Sequence, residues 1–515
     1  MHTNVEREEG RMKGIFLTLF IGFLLFIGLF CMRGNKTLND FFLGGRSVGP
    51  WLSAFAFGTT YFSAVIFIGY AGKVGWGFGL STLWIVVGNT LLGSLLAWWV
   101  LAKRTRQMTV RLNALTMPQF LEARYQAPGF KMFAAGIIFV FMIPYSASVF
   151  MGLSYLFEQV FSISYTFAAI GMAVLTAMYL VTGGYRAVAL TDVVQGTVMI
   201  FGVFILLYYV LGAPQVGGLG QVVSKLQAID PKLVAPVGAP GWLPIASLVI
   251  LTSLGTWGLP QMVQKFYAIK DEAAIRPATI VSTLFALVIT TGAYFTGSLS
   301  RLFFDKVPVD ALTGKPNPDL LIPQMLMNIM PEWAVTLLLL LVLSASMSTL
   351  ASLVLVSSSA VTIDIIQGLS PKLPDRRKVG LMRFFCLVFI ALSVTLALAK
   401  PTIILSLMAI SWGTIAGTFL APYVIGLYWR KATAKGAWLA SLTGLTISII
   451  FSFYVKLDAG MIPTVGVLAM LVPLVVLPLV SMVTEPLPES HLRQVFGKDF
   501  PTGIRGVKNK KVEQL

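Results

Sequence analysis

A chain of 515 residues that is 57% hydrophobic and only 11% charged, with a mean hydropathy of +0.83, lies far from the roughly 25% charged residues of a soluble domain. Its formal net charge of +17 would suit a polyanion, but the basic residues sort by loop, which marks orientation and speaks against nucleic acid as a partner. The expected fold class is an all-α polytopic membrane protein.

A hydrocarbon core of about 30 Å takes about 20 apolar residues per helical span. On that ruler thirteen transmembrane helices are predicted, at about 14–32, 51–71, 78–101, 131–157, 164–182, 189–211, 242–262, 279–303, 333–366, 379–399, 402–428, 437–456 and 462–483. The first is not a signal peptide, because its apolar stretch is too long and Glu6, Glu8 and Glu9 precede it. With the N-terminus outside, about 25 of the 38 lysines and arginines fall on one side, counting Lys265 to Arg276 as one of its loops, against about 11 on the other. The positive-inside rule then puts the N-terminus outside and the C-terminus in the cytoplasm, in a cell (inner) membrane. The basic tail with Arg505, Lys508, Lys510 and Lys511 reads as solvated chain near anionic lipid.

Taken in order, the spans are interrupted at informative places. Span 2 carries Gly58-Thr59-Thr60-Tyr61-Phe62-Ser63-Ala64 at mid-membrane. Span 7 carries Gly255-Thr256-Trp257-Gly258-Leu259-Pro260-Gln261, with two glycines and a proline that a continuous helix disfavours. Five spans separate the two. That spacing matches an inverted 5+5 repeat (spans 2–6 and 7–11) whose first helices are broken and line a midplane site. Asp192, at the start of span 6, is an intramembrane carboxylate, which either serves function or braces the helix start near Arg186. In span 9, Ala345, Ser348, Thr349 and Ser352 share one helical face. Such a neutral oxygen stripe suits a weakly held hard cation, and equally suits close helix packing with cross-helix hydrogen bonds.

Absent chemistry narrows the function. The only histidines, His2 and His491, lie in the tails, and Cys31 and Cys386 have no metal spacing, so no metal centre, haem or disulfide is expected. No phosphate-binding glycine loop occurs, so uphill transport must draw on an ion gradient. No acid/base pair or nucleophile triad suggests an enzyme.

Four segments resemble the sodium/solute symporter family: Leu43-Gly44-Gly45-Arg46-Ser47, Thr116 through Tyr125, Gly183-Gly184-Tyr185-Arg186-Ala187 followed by Thr191 through Gly196, and Ala345 through Leu350. They occur in order and at the matching helices. The resemblance implies a LeuT-type fold, with one helix before a ten-helix core and two after it. It also implies a coupling sodium held by the carbonyls of Gly58, Tyr61 and Ala345 and the hydroxyls of Ser348 and Thr349. Some similar members bind a second sodium, for which Asp192, Ser348 and Ser352 match, whereas Ala351 stands where those members carry a hydroxyl. Beside the main sodium, the resemblance puts the solute among Thr60, Ser63, Tyr145, Ser146, Thr256, Trp257 and Gln261. Sialic-acid members carry an arginine in span 4, whereas residues 132–157 hold none here. The closest look is to the branch carrying proline, pantothenate and small monocarboxylates.

The expected organisation is an N-tail (1–13), a transmembrane symporter unit (14–483) with repeats at about 51–211 and 242–428, and a basic tail (484–515). The expected function is Na+-coupled import of a small solute, an amino acid such as proline or a monocarboxylate, with pantothenate, a sugar or a sugar acid as alternatives. Beyond solute, sodium and the lipid bilayer, no obligatory protein partner is expected. A channel or solute sensor on the same fold is the alternative of another class, although only about 30 residues follow span 13.

Overall fold

An apolar run that crosses a bilayer must satisfy its own backbone, and the helix does so within one segment. The computed structural model describes residues 2–32, 37–161, 163–310, 314–370, 372–454 and 461–497; Arg505, Lys508, Lys510 and Lys511 of the basic tail lie outside the described residues. Among those described, the chain is mostly helical and contains no β-strand, only two isolated bridges.

The helices that concern the site are α1 (His2–Met32), α2 (Pro50–Tyr61), α3 (Val65–Arg111), α4 (Phe130–Phe161), α5 (Tyr165–Met178), α6 (Gly184–Gly212), α7 (Trp242–Gly258), α8 (Pro260–Ala268), α9 (Ile275–Leu302), α10 (Glu332–Leu369), α11 (Asp375–Ala399), α12 (Ile404–Tyr428), α13 (Ala434–Ser452), α14 (Ile462–Met482) and α15 (Glu489–Phe496). Among the described residues, nine helices are long and apolar enough to cross a membrane, or ten if the bent α7–α8 pair is one span. The thirteen expected spans are a finer division of the same helices. Span 1 lies in the 31-residue α1, and span 5 in the helix that begins at Tyr165 and kinks at Gly184 (φ 60°, ψ −170°) into α6. The first half of span 2 is the 12-residue α2; its second half and span 3 together make α3, which turns at Gly79 (φ 59°, ψ −136°).

Both expected interruptions are present. After Tyr61 the backbone turns extended at Phe62 (φ −113°, ψ 112°), and helix resumes beyond Ser63. After a tight turn at Gly255–Gly258, Leu259 is extended (φ −89°, ψ 120°), and Pro260 starts α8 at 46° to α7. Proline at the first turn of α8 lacks an N–H that would have had no helical acceptor. The breaks fall at Phe62 and Leu259, a few residues beyond the glycines that signalled them.

α10 and α12 form the centre: the most apolar window of each is completely buried within the protein. α10 packs on α2, α4 and α6, and α12 on α4, α13 and α14. On the basic side, Arg124 is fully buried and clamps the end of α12, its guanidinium donating to the carbonyls of Gly426 (2.8 Å) and Trp429 (2.9 Å). α15 closes over it, with Phe496 under the guanidinium and His491 Nε2 3.1 Å from the Arg124 carbonyl.

Candidate functional site

The end of α2 faces the hydroxyl stripe of α10. Thr349 Oγ1 lies 3.2 Å from the carbonyls of both Thr59 and Thr60 and 3.1 Å from that of Ala345. One turn of geometry thus gathers three backbone carbonyls around one hydroxyl in a fully buried place. Ser348 Oγ is 2.7 Å from Thr59 Oγ1 and donates to Asp192 Oδ1 at 2.6 Å. Of the expected ligands, Ser348 and Thr349 therefore meet α2 directly, while the Ala345 carbonyl accepts from Thr349 on its own helix. The Gly58 carbonyl accepts the Phe62 N–H (3.2 Å), the last backbone bond before the break, and Tyr61 is the final helical residue. The donor set is neutral oxygen throughout, the chemistry a sodium ion takes as cargo.

Asp192 is wholly buried inside α6, beyond its first turn. It therefore does not cap the helix; Arg186 is exposed, and the carboxylate's partner is Ser348. Its second oxygen, Oδ2, has no hydrogen-bond partner.

Lys265 corrects the loop assignment. Counted as one of a basic loop, it is fully buried in α8, where Nζ donates to Ser352 Oγ at 2.9 Å and lies 5.0 Å from the centroid of the Tyr185 ring. Ser352 Oγ is also 2.9 Å from Thr60 Oγ1. No local signal separates it from the loop: the lysine stands five residues beyond Pro260, next to Gln264 and ahead of Phe266, Tyr267 and Ala268.

On the other side of the α2 break, a small cavity is lined by Tyr61, Phe62, Ser63, Tyr70, Asn89, Tyr145, Thr252, Tyr294 and Trp412, with Val65, Ile66 and Met408. No charged side chain lines it. The Tyr145 and Trp412 rings meet edge to face at 5.7 Å, and Tyr61 stacks on Phe62 at 4.2 Å. Asn89 Oδ1 ties three helices together, receiving Thr252 Oγ1 (2.9 Å) and Ser253 Oγ (3.1 Å) and lying 3.1 Å from the Tyr61 hydroxyl. Two donors on the wall, the Trp412 indole N–H and the Tyr70 hydroxyl, have no hydrogen-bond partner.

Of the residues expected to face the solute, Ser63 and Tyr145 line this cavity. Thr60 turns instead to Ser352. Ser146 and Gln261 are buried with Oγ and Oε1 unpartnered, outside the lining set. The Thr256 hydroxyl lies 3.3 Å from the Gly93 carbonyl, and the Trp257 indole donates to the Leu92 carbonyl (2.9 Å), so both brace α7 against α3. Tyr70, Asn89 and Trp412 were not anticipated. Trp412 lies on a helix whose pattern is apolar all round, so nothing in its periodicity picks out an inward face.

A bundle of apolar helices, two of them broken at a shared buried polar centre, defines an ion-coupled secondary transporter. A family model described as the sodium:solute symporter family matches residues 41–444. The chain belongs to the sodium:solute symporter family and is a sodium-coupled symporter of small solutes. It is 30% identical over 444 residues to a sodium/pantothenate symporter of Haemophilus influenzae, covering 85% of this chain and 89% of that protein. It is 29% identical over 439 residues to a sodium/proline symporter of Escherichia coli, with coverages of 84% and 86%. Among solved structures it is similar to a Na+-coupled sialic acid symporter in a substrate-bound outward-open state, with a TM-score of 0.76, 17% identity and coverages of 92% and 98%. At that identity the likeness shows the fold.

Proposed function

We propose that this symporter imports a small carboxylate-bearing solute, an amino acid such as proline or a monocarboxylate, by alternating access around the α2 break. The observation that carries this reading is the cavity wall: two unpartnered donors, Trp412 Nε1 and the Tyr70 hydroxyl, and no charged lining side chain. A carboxylate can take both donors beside a sodium ion, with its apolar body on the Tyr61, Phe62 and Tyr145 rings. An unpaired buried donor costs about 1–3 kcal/mol, so a solute that satisfies it is favoured over one that does not. Relatives named for proline and for pantothenate support the range, since both solutes carry a carboxylate. Pantothenate is the second reading, favoured by the 30% identical relative.

The sodium is coordinated by the Gly58, Tyr61 and Ala345 carbonyls and the Ser348 and Thr349 hydroxyls. The architecture is thirteen spans with two inverted five-helix repeats, about 51–211 and 242–428, the N-terminus outside and the C-terminus cytoplasmic. It is a carrier and not an enzyme, and needs no protein partner.

The test is thermal unfolding of the purified protein with proline, pantothenate, lactate and neutral sugars, in sodium and in potassium, because a bound ligand stabilises by mass action. A carboxylate is expected to raise the midpoint only in sodium, and Trp412→Phe, which keeps an aromatic side chain but loses the indole N–H and part of its volume, is expected to weaken that solute about tenfold. Stabilisation by a neutral sugar in preference to every carboxylate would overturn the reading.

A further inference from the structure

The second cation position implied by the family resemblance does not fit a sodium ion in this chain. Its ligands would be Asp192, Ser348 and Ser352, but Ser352 Oγ already accepts the Lys265 ammonium at 2.9 Å, and Ala351 supplies no hydroxyl. A sodium at an ordinary oxygen–cation distance of about 2.5 Å from Ser352 would sit no more than about 5.4 Å from a buried like charge, which water does not screen. Resting on the sodium-coupled reading above, we propose that Lys265 is the permanent, tethered cation of this second site, so that the transporter binds one sodium ion and not two.

Each neighbour of Lys265 is of the kind a buried ammonium requires. Burying a cation is tolerated when charge, hydrogen bonds and polarizable groups compensate it. Ser352 supplies an acceptor lone pair, and its own proton is free to point at Thr60 Oγ1, 2.9 Å away. The Tyr185 ring presents its face to Nζ at 5.0 Å, within the range of a cation–π contact. Asp192 is buried close enough for its charge to act on Lys265, and its Oδ2 has no hydrogen-bond partner. Asp192 also holds Ser348, the hydroxyl that faces the main sodium ligands on α2. The lysine therefore supplies from α8 the positive charge that a mobile ion would bring. As a tethered group on a broken helix it neither leaves with the solute nor draws on the gradient.

The experiment is equilibrium binding of radiolabelled sodium alone to the purified full-length protein, counted per molecule, with folding checked by size-exclusion chromatography. The wild type and Lys265→Arg are expected to bind one equivalent. The double variant Lys265→Ala/Ala351→Ser, which removes the tethered charge and restores the missing hydroxyl, is expected to bind two. If that variant does not fold, Ala351→Ser with the lysine retained is the deciding protein, and must stay at one equivalent. Two equivalents in the wild type or in Ala351→Ser would overturn the inference while leaving sodium coupling intact. Absence of saturable sodium binding in the wild type would overturn both.

Discussion

Thr349 carries the main cation site most directly at the scale of a single residue. Its hydroxyl touches three carbonyls from two helices, while its methyl group sits in packed surroundings. Thr349→Ala removes that oxygen and leaves Ser348 bonded to Asp192. Sodium affinity is therefore expected to fall about tenfold, equivalent to about 1.4 kcal/mol, with little change in thermal midpoint in potassium. By linkage, solute affinity at low sodium falls with it. A sodium titration of intrinsic fluorescence checks this, and an unchanged midpoint would show that the ion lies elsewhere. Ser348→Ala is a poorer probe, since it also strips a buried carboxylate of its partner. The stripe on α10 was legible from hydroxyls at helical spacing, and Asp192 from a lone acid in an apolar run. Lys265 was not, because a lysine five residues past a proline reads as loop when break and loop share the same glycine and proline signals. Trp412 and Tyr70 had no local signal: their unpartnered donors exist only once α12 and α3 meet.

At the scale of elements, α3 and α9 cross at glycines. A Cβ on Gly75 would lie 2.1 Å from the Gly297 carbonyl carbon, and one on Gly297 would lie 2.1 Å from the Ala71 carbonyl oxygen. Backbone faces backbone, so no rotamer change relieves the clash, and the helices must separate. Gly75→Ala is expected to cost about 1–3 kcal/mol, as overpacking does, and to lower the thermal midpoint in sodium and in potassium alike. A wild-type midpoint would mean the two helices are not locked in this state. The broken helices themselves could be read from the chain, because Gly58, Gly255, Gly258 and Pro260 weaken a continuous helix. The position of the turn inside α3 could not: the two spans are set at 51–71 and 78–101, whereas helix runs on to Phe78 and the chain turns at Gly79 (φ 59°, ψ −136°).

Over the whole molecule, the asymmetry of lysine and arginine predicts which ends of the helices meet the cytoplasm. Single cysteines at Gln215 and Lys315 are expected to react with an impermeant thiol reagent outside intact cells. One at Arg376 is expected to react only after the membrane is opened; Gln215 and Arg376 are both exposed. The reverse pattern would invert the assignment. That asymmetry survives the loss of Lys265 from the loop tally, because one residue is small beside the difference between about 25 and about 11. The central claim is that solute and sodium move together through this site. Vesicles reconstituted with the purified protein and loaded against an inward sodium gradient test it directly, with labelled proline, lactate and pantothenate as solutes. The account predicts that one of these carboxylates accumulates above its external concentration and drains when the sodium gradient is collapsed. Equal uptake under a potassium gradient, or a flux that only equilibrates, would contradict it.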